Sequence, residues 1–417
     1  MTVTIEAVSK PVVSAKGQAA LDELLAKRVD SRLIPAATFG ATTADGPIYF
    51  AARGERVLGE PDKGQVDDKT MLQLYSMTKL VTTVAVLQLV DRGLIDLDDA
   101  QLVEKHCPEL CALPVLTGQD GDTLLSTPRT QPITTRRLLS HTSGLAYTFS
   151  SSLLAEWHQQ NQPPLHHGEQ TTKGFEEPLV FQPGERWLYS IGIDWAGILV
   201  ERISGLNLQE YFHQHIFGPL GLTVDDITFV PTDDVRARMQ QICKRLPDGS
   251  LVHGVPMRPL DYTAETIGQL SGGGGLHGTA RAYLRFLQGI LNRDDGIVSE
   301  AAFAELFTDS LPADAPPEVK KGLAVMTIRT NYHDPEHTAN DAQFLGHSVG
   351  LVLSLKDSVN GRRKGSGCWD GAAKTHYWLD PATGIAGICF TQLQAPSADG
   401  WLRVYNEFER TLYDALE

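Results

Sequence analysis

Ser76-Met77-Thr78-Lys79 is the only Ser-x-x-Lys in the chain. It stands where a strand-like run, Met71–Tyr75, meets an apolar helical pattern beginning at Met77. At helical spacing, residues i and i+3 share a face with Cβ atoms about 5–6 Å apart, so a serine hydroxyl can meet a lysine amine directly. Serine is a weak nucleophile until a base takes its proton. An ammonium is no base, so a lysine in that role needs burial or neighbouring cations that favour the neutral amine. A helix N-terminus also presents free N–H groups, and the backbone N–H of Ser76 could hold a developing oxyanion there.

Two further segments carry chemistry. Tyr189-Ser190-Ile191 follows Phe181-Gln182-Pro183-Gly184 and the run to Leu188. A tyrosine beside a lysine ammonium ionises more readily and can serve as general base or proton shuttle. Gly365-Ser366-Gly367-Cys368-Trp369-Asp370-Gly371-Ala372 precedes a C-terminal hairpin. Glycine beside an edge strand marks a close backbone approach to ligand, and N–H groups there can supply a second oxyanion donor.

These residues need elements to position them. Gln18–Arg28 reads as a helix with Leu21, Leu24 and Leu25 on one face. Ala36–Thr43 and Pro47–Arg53 read as strands joined across Ala44-Asp45-Gly46, a hairpin signal. The far end mirrors this, with strands Thr375–Leu379 and Ile385–Leu393 and a terminal helix Trp401–Leu416. The simplest assembly is one antiparallel sheet built from both termini and covered by helices. The middle reads differently. Leu80–Arg92 is expected as an amphipathic helix stopped by Gly93. Thr134–Ser140 and Asp194–Ser204 read as further helices, with Gln162–Gly168 and Phe181–Gly184 as linking segments. The expected fold class is α+β: an antiparallel sheet domain from 1–92 and 205–417, split by a mainly helical insertion over 93–204. The active site is then expected in the cleft between sheet and helices.

Taken in order, the three chemical segments resemble the serine β-lactamase and penicillin-binding-protein superfamily, whose nucleophile motif is Ser-x-x-Lys. Leu138–Leu145, Gly218-Pro219-Leu220-Gly221-Leu222 and Gly272–Leu276 extend the likeness along nearly the whole chain. Within the superfamily it looks closest to the class C-like family VIII carboxylesterases and the lovastatin-type acyltransferases. The resemblance to the acyltransferases includes Asp194-Trp195-Ala196-Gly197 and Arg362-Arg363-Lys364-Gly365-Ser366. It implies that Ser76 is acylated and that Lys79 and Tyr189 together deprotonate it. The N–H groups of Ser76 and Ala372 would form the oxyanion hole. Trp369, Gly371, Ile191 and Tyr147 would contact substrate, with Trp369 lining the acyl pocket. Implied partners are an ester or thioester acyl donor and an alcohol acceptor or water.

Departures from the β-lactamase pattern carry information too. Ile191 stands where Tyr-Ser-Asn would have an amide, and Trp369-Asp370-Gly371 stands where Lys-Thr-Gly would have a cation. Lys374-Thr375 comes five residues late. An anionic β-lactam should therefore bind poorly, and neutral esters or thioesters with apolar acyl groups suit the site better. The alternatives are a β-lactam hydrolase or D,D-peptidase-like enzyme, or a non-catalytic binding homologue, against which intact Ser76, Lys79 and Tyr189 argue.

Other features bound the reading. The 417 residues carry 51 acidic and 36 basic side chains, a net charge of −15, which argues against nucleic-acid binding. The longest apolar stretch, Leu80–Val90, is too short and too polar to span a bilayer. Met1–Lys16 has no apolar h-region, so a cytoplasmic location is expected. Cys107 and Cys111 beside His106 lack a second ligand pair at zinc spacing, and Gly272–Gly275 is not followed by the Gly-Lys-Ser/Thr of a phosphate loop. Neither metal nor cofactor is expected. The glycine run instead reads as backbone passing close to the cleft, with Thr279 capping the next helix. Gly346-His347-Ser348-Val349-Gly350 fits a nucleophile elbow, but a strand-like Leu351–Leu355 follows where that elbow needs a helix. Arg362-Arg363-Lys364 is a cationic run. It reads as a solvated turn, with docking of an acidic acyl-carrier protein as the sharper alternative.

Overall fold

The computed structural model describes residues 10–164, 172–257, 263–293, 297–311, 319–320, 322–323, 344–396 and 399–417. Part of the expected Gln162–Gly168 link lies outside them. Helix α1 (Ala15–Asp30) leads into strands β1 (Ala36–Thr42) and β2 (Pro47–Gly54), and then into the short strand β3 (Met71–Gln73) and helix α2 (Thr78–Asp91). Helices α3 (Thr135–Leu139) and α4 (Gly192–Ser204) come from the middle of the chain. Strands β4 (Ile227–Thr228) and β5 (His277–Thr279) precede helix α5 (Ala280–Leu291). The C-terminal part holds β6 (Leu345–His347), β7 (Val352–Ser354), β8 (Gly367–Gly371), β9 (Thr375–Asp380), β10 (Ile385–Phe390) and helix α6 (Trp401–Asp414).

The chain ends meet in one seven-stranded sheet, ordered β6-β7-β8-β9-β10-β1-β2, every pair antiparallel. Phe39 of β1 pairs with Cys389 of β10, and Trp369 of β8 pairs with Tyr377 of β9. Side chains alternate between the faces of a strand, which gives the sheet two cores. On one face Leu21 and Leu25 of α1 and Trp401 and Phe408 of α6 bury Phe39 and Trp378, with the Phe39 and Phe408 rings stacked at 4.3 Å. On the other face α5 lies against β1 and β10, and Tyr283 meets Tyr377 at 5.4 Å and Phe390 at 5.9 Å. The antiparallel sheet covered by helices is the architecture expected from the terminal hairpins.

Helix α2 departs from expectation. It is buried all round, from Thr78 to Leu89, rather than amphipathic. It packs against α4. Most of its polar side chains are met by backbone groups: Thr82 Oγ1 donates to the Gly272 carbonyl at 2.7 Å, and Gln88 donates to the carbonyls of His215 and Ile297 at 3.0 Å, whereas Thr83 Oγ1 has no hydrogen-bond partner among the described residues. Gly93 ends the helix with φ +69°, its N–H donating to Val90. Residues 93–204 also contain a two-stranded hairpin, Val115–Asp120 with Thr123–Thr127. A small sheet β3-β5-β4 anchors the start of α2, with Met71 paired to Thr279. Thr279 caps α5, accepting from Ala282 N–H.

The Arg362-Arg363-Lys364 run is not simply a solvated turn. Arg362 is fully buried, and its Nε donates to Glu409 Oε1 at 3.0 Å, both side chains 0% exposed. Arg363 and Lys364 stay exposed, Arg363 within 3.6 Å of Asp357. No helix among the described residues is long and apolar enough to cross a membrane.

Candidate active site

Ser76 lies in a single 3-10 turn, Tyr75–Met77, that continues into α2. The turn is tight. Tyr75 adopts φ +47°, a left-handed conformation costly for a bulky residue. The surroundings hold it there: Thr78 Oγ1 donates to the Tyr75 carbonyl at 2.7 Å, and the Tyr75 hydroxyl donates to Gln73 at 2.7 Å. This turn brings Ser76 Oγ to the wall of a cleft of about 600 Å³.

Three oxygens surround the Lys79 amine. Lys79 Nζ donates to the Gly273 carbonyl at 2.6 Å, to the Tyr147 hydroxyl at 3.0 Å and to Ser76 Oγ at 3.4 Å. These match its three N–H donors. The side chain is 1% exposed, and Nζ also stands over the Tyr189 ring, 4.8 Å from its centroid. Ser76 Oγ and the Tyr189 hydroxyl are 2.6 Å apart. Serine, lysine and tyrosine thus form one contiguous hydrogen-bonded cluster.

Tyr189 is held from both directions along the chain. The segment before it is pinned to residues 141–144: Val180 N–H donates to Gly144, Gly184 to Thr142 and Leu188 to His141. Just after it, α4 begins. Behind the ring sits an aromatic cluster, with His141 at 4.9 Å and Trp369 at 5.2 Å between centroids. His141 and His347 are wholly buried there. Burial holds the His141 imidazole well below its usual value, helped by the charges of His347 and Lys79, and holds His347 down to about 4.

The expected substrate residues divide. Tyr147, Gly371 and Ala372 line the cleft with Ser76 and Tyr189. Gly371 is required by space as well, because a Cβ there would lie 2.4 Å from the Leu74 carbonyl oxygen. Strand β8 therefore runs close beside the nucleophile turn. Trp369 is not on the wall among the described lining residues. Its indole shares the strand face of Gly371 but is 4% exposed, covered by His141 and Tyr189. It backs the tyrosine instead of lining an acyl pocket. Ile191 is 0% exposed within the hydrophobic core, at the start of α4, and is not among the residues lining the cleft.

Several features had no local sequence signal. Tyr147 was expected to touch substrate, yet it also bonds Lys79. Phe149, 72% exposed, stacks on Tyr147 at the cleft. Lys374 reaches the cleft wall despite its late position, so the wall does carry a cation. Gly273 and Gly274 line the cleft, as the backbone-approach reading of the glycine run expects. The elbow-like Ser348 is 0% exposed, and its hydroxyl serves a turn, accepting from Leu351 N–H at 3.2 Å.

Comparison with known proteins bears on this geometry. Residues 21–409 match the Beta-lactamase family. The chain is 33% identical over 386 residues to a lovastatin esterase of Penicillium rubens, covering 90% of this chain and 93% of that protein. It is 31% identical over 398 residues to a monacolin J acid methylbutanoyltransferase of Aspergillus terreus, covering 93% of each. The unliganded simvastatin synthase of Aspergillus terreus superposes with a TM-score of 0.82 at 30% identity, over 96% of this chain and 98% of that one. The chain belongs to the Beta-lactamase family, among its acyltransferases and esterases.

Proposed function

We propose that the protein is a serine acyl-enzyme catalyst with a two-step cycle. Ser76 Oγ attacks the carbonyl carbon of an ester or thioester while its proton passes to the Tyr189 phenolate, which the adjacent Lys79 ammonium stabilises. The tetrahedral oxyanion takes hydrogen bonds from the N–H groups of Ser76 and Ala372. Collapse expels the alkoxide or thiolate, which takes the proton from Tyr189 and leaves an acyl-Ser76 ester. An alcohol then repeats the sequence in reverse, giving acyl transfer, or water does so, giving hydrolysis.

The observation that carries this reading is the 2.6 Å contact between Ser76 Oγ and the Tyr189 hydroxyl beside buried Lys79. Donor and acceptor are proposed as small molecules with apolar acyl groups, in keeping with the exposed Phe149 and Met257 at the cleft. A carrier-protein donor would find only Arg363 and Lys364 of the cationic run, since Arg362 is buried.

The test is intact-mass detection of an acyl adduct after mixing with a panel of acyl thioesters, followed by partition of that adduct between water and added alcohols. A mass increment on the wild-type chain that is absent from Ser76→Ala supports the reading. An increment retained in Ser76→Ala overturns it.

A further inference from the structure

Asp194 stands in the first turn of α4, five residues after Tyr189, and is 3% exposed. A buried carboxylate is costly unless its lone pairs are met, and here two donors meet one oxygen. Ser271 Oγ donates to Asp194 Oδ1 at 2.5 Å and Gly273 N–H donates to the same atom at 2.9 Å. The helix N-terminus adds favourable partial positive charge. The carboxylate also rests on the α-carbon of Gly273. A Cβ at Gly273 would lie 2.2 Å from Asp194 Oδ2, so the fit admits only glycine.

The next atom group along that loop is the Gly273 carbonyl, which holds Lys79 Nζ at 2.6 Å. Two other bonds tie the loop to α2: Thr82 Oγ1 to the Gly272 carbonyl, and Leu276 N–H to Thr78 Oγ1 at 3.1 Å. These two act on either side of residue 273, whereas Asp194 grips Gly273 itself. The geometry points to Asp194 as a positioning residue for the acylation step: its carboxylate fixes the Gly273 carbonyl, and that carbonyl fixes the Lys79 amine beside Ser76. The first turn of α4 and the residues leading into it would then place both members of the proton-transfer pair, Tyr189 through the chain and Lys79 through the loop. Small displacements of a catalytic group are expensive in rate, about a hundredfold for 1 Å. This inference rests on the acyl-enzyme reading above.

The experiment measures the acylation rate constant per active site, normalised by titration with an activated acyl ester, together with the dissociation constant of the ester and the melting temperature. Asp194→Ala is expected to lower the acylation constant by about tenfold or more while ester affinity stays within about twofold. Asp194→Asn, whose Oδ1 still accepts both hydrogen bonds, should stay within about threefold of wild type. A merely structural tie between α4 and the loop would lower the melting temperature and the titratable fraction without changing the rate per site. An unchanged rate per site in Asp194→Ala therefore overturns the inference. Should that variant fail to fold, Gly273→Ala reads the same link by driving a Cβ onto the carboxylate, and an unchanged rate per site there overturns it equally. A wild-type chain that no acyl donor labels overturns the acyl-enzyme reading itself. Equal labelling rates in wild type and variants overturn only the role of Asp194.

Discussion

The Ser76 hydroxyl sits closer to the Tyr189 hydroxyl, at 2.6 Å, than to the Lys79 amine, at 3.4 Å. In the proposed cycle the direct proton partner of Ser76 is therefore the tyrosine, with the lysine acting on both. Tyr189→Phe keeps the ring and its aromatic packing but removes the acceptor. Acylation should fall by about 10²–10⁴-fold, the usual range for a lost general base, with the melting temperature little changed. Stopped-flow release of a chromogenic leaving group measures it. A loss of less than about threefold would reassign the base to Lys79 alone.

Tyr147 offers a graded comparison. Its hydroxyl accepts from Lys79 at 3.0 Å, and in the proposed cycle it orients the amine while Tyr189 takes the serine proton. A hydrogen bond to a charged group is worth about 1.5–3 kcal/mol. Tyr147→Phe should slow acylation by roughly ten- to a hundredfold, less than Tyr189→Phe in the same assay. The reverse order would show that Tyr147 is the shuttle.

Phe149 bears on the choice between transfer and hydrolysis. It is 72% exposed, stacked on Tyr147 with rings 5.1 Å apart and 10° from parallel. Water needs no apolar surface to reach the acyl-enzyme, but an apolar alcohol gains by covering this ring, and burying a Phe side chain is worth about 1.5–3 kcal/mol. Phe149→Ala should shift partition of the acyl-enzyme toward water by roughly tenfold for an apolar alcohol, with little change for methanol. Val359→Ala, at an exposed position outside the cleft lining, is the control. Equal shifts for both alcohols would remove Phe149 from acceptor selection.

The buried histidines behind Tyr189 set a pH dependence of stability. His347 is held down to about 4 by burial, against a backbone hydrogen bond to Ser348 that partly opposes it. Its Nε2 has no hydrogen-bond partner among the described residues. His141, 5.4 Å away between ring centroids, is depressed in the same direction. A depressed folded value means that the unfolded chain binds the proton first. The stability associated with the neutral rings is thus fully present above about pH 6.5 and is lost as pH falls toward 4, by up to about 1.4 kcal/mol per pH unit for each histidine. Urea midpoints measured from pH 7.5 to 4.5 should fall accordingly, and His347→Gln should flatten the slope. An unaltered slope in that variant would place the acid sensitivity elsewhere.

The parts of this site that were legible in the sequence are those with local signals. Ser76 and Lys79 are three residues apart, the terminal strands are punctuated by turn residues such as Asp380 and Gly384, and Thr279 is a capping residue ahead of a helical run. What escaped is non-local or directional. The Gly273 carbonyl meets an amine 194 positions away in sequence. Trp369 and Ile191 lie in the right neighbourhood but are buried, because His141 and Tyr189, distant in sequence, cover the indole and the exact start of α4 decides where Ile191 points. The burial of α2 on all sides follows from helices and loops distant in sequence, and its threonines gave it the look of an amphipathic helix.

Arg362 and Glu409 show the same limit in a basic run. A short cationic stretch usually faces water, yet Arg362 pairs at 3.0 Å with Glu409 of α6, both side chains sealed under the sheet. The carboxylate lies 47 positions away and gives no local warning. Removing one member strands a buried charge, which costs about 3–5 kcal/mol, whereas replacing both with apolar groups of similar volume is often neutral or stabilising. Arg362→Met should therefore lower stability by about that amount in urea titration, and Glu409→Leu should do the same. The double variant should recover most of the loss. Additive losses in the double variant would mean that each side chain is held by its other neighbours, and that the pair is not the unit tying α6 to the β7–β8 connection.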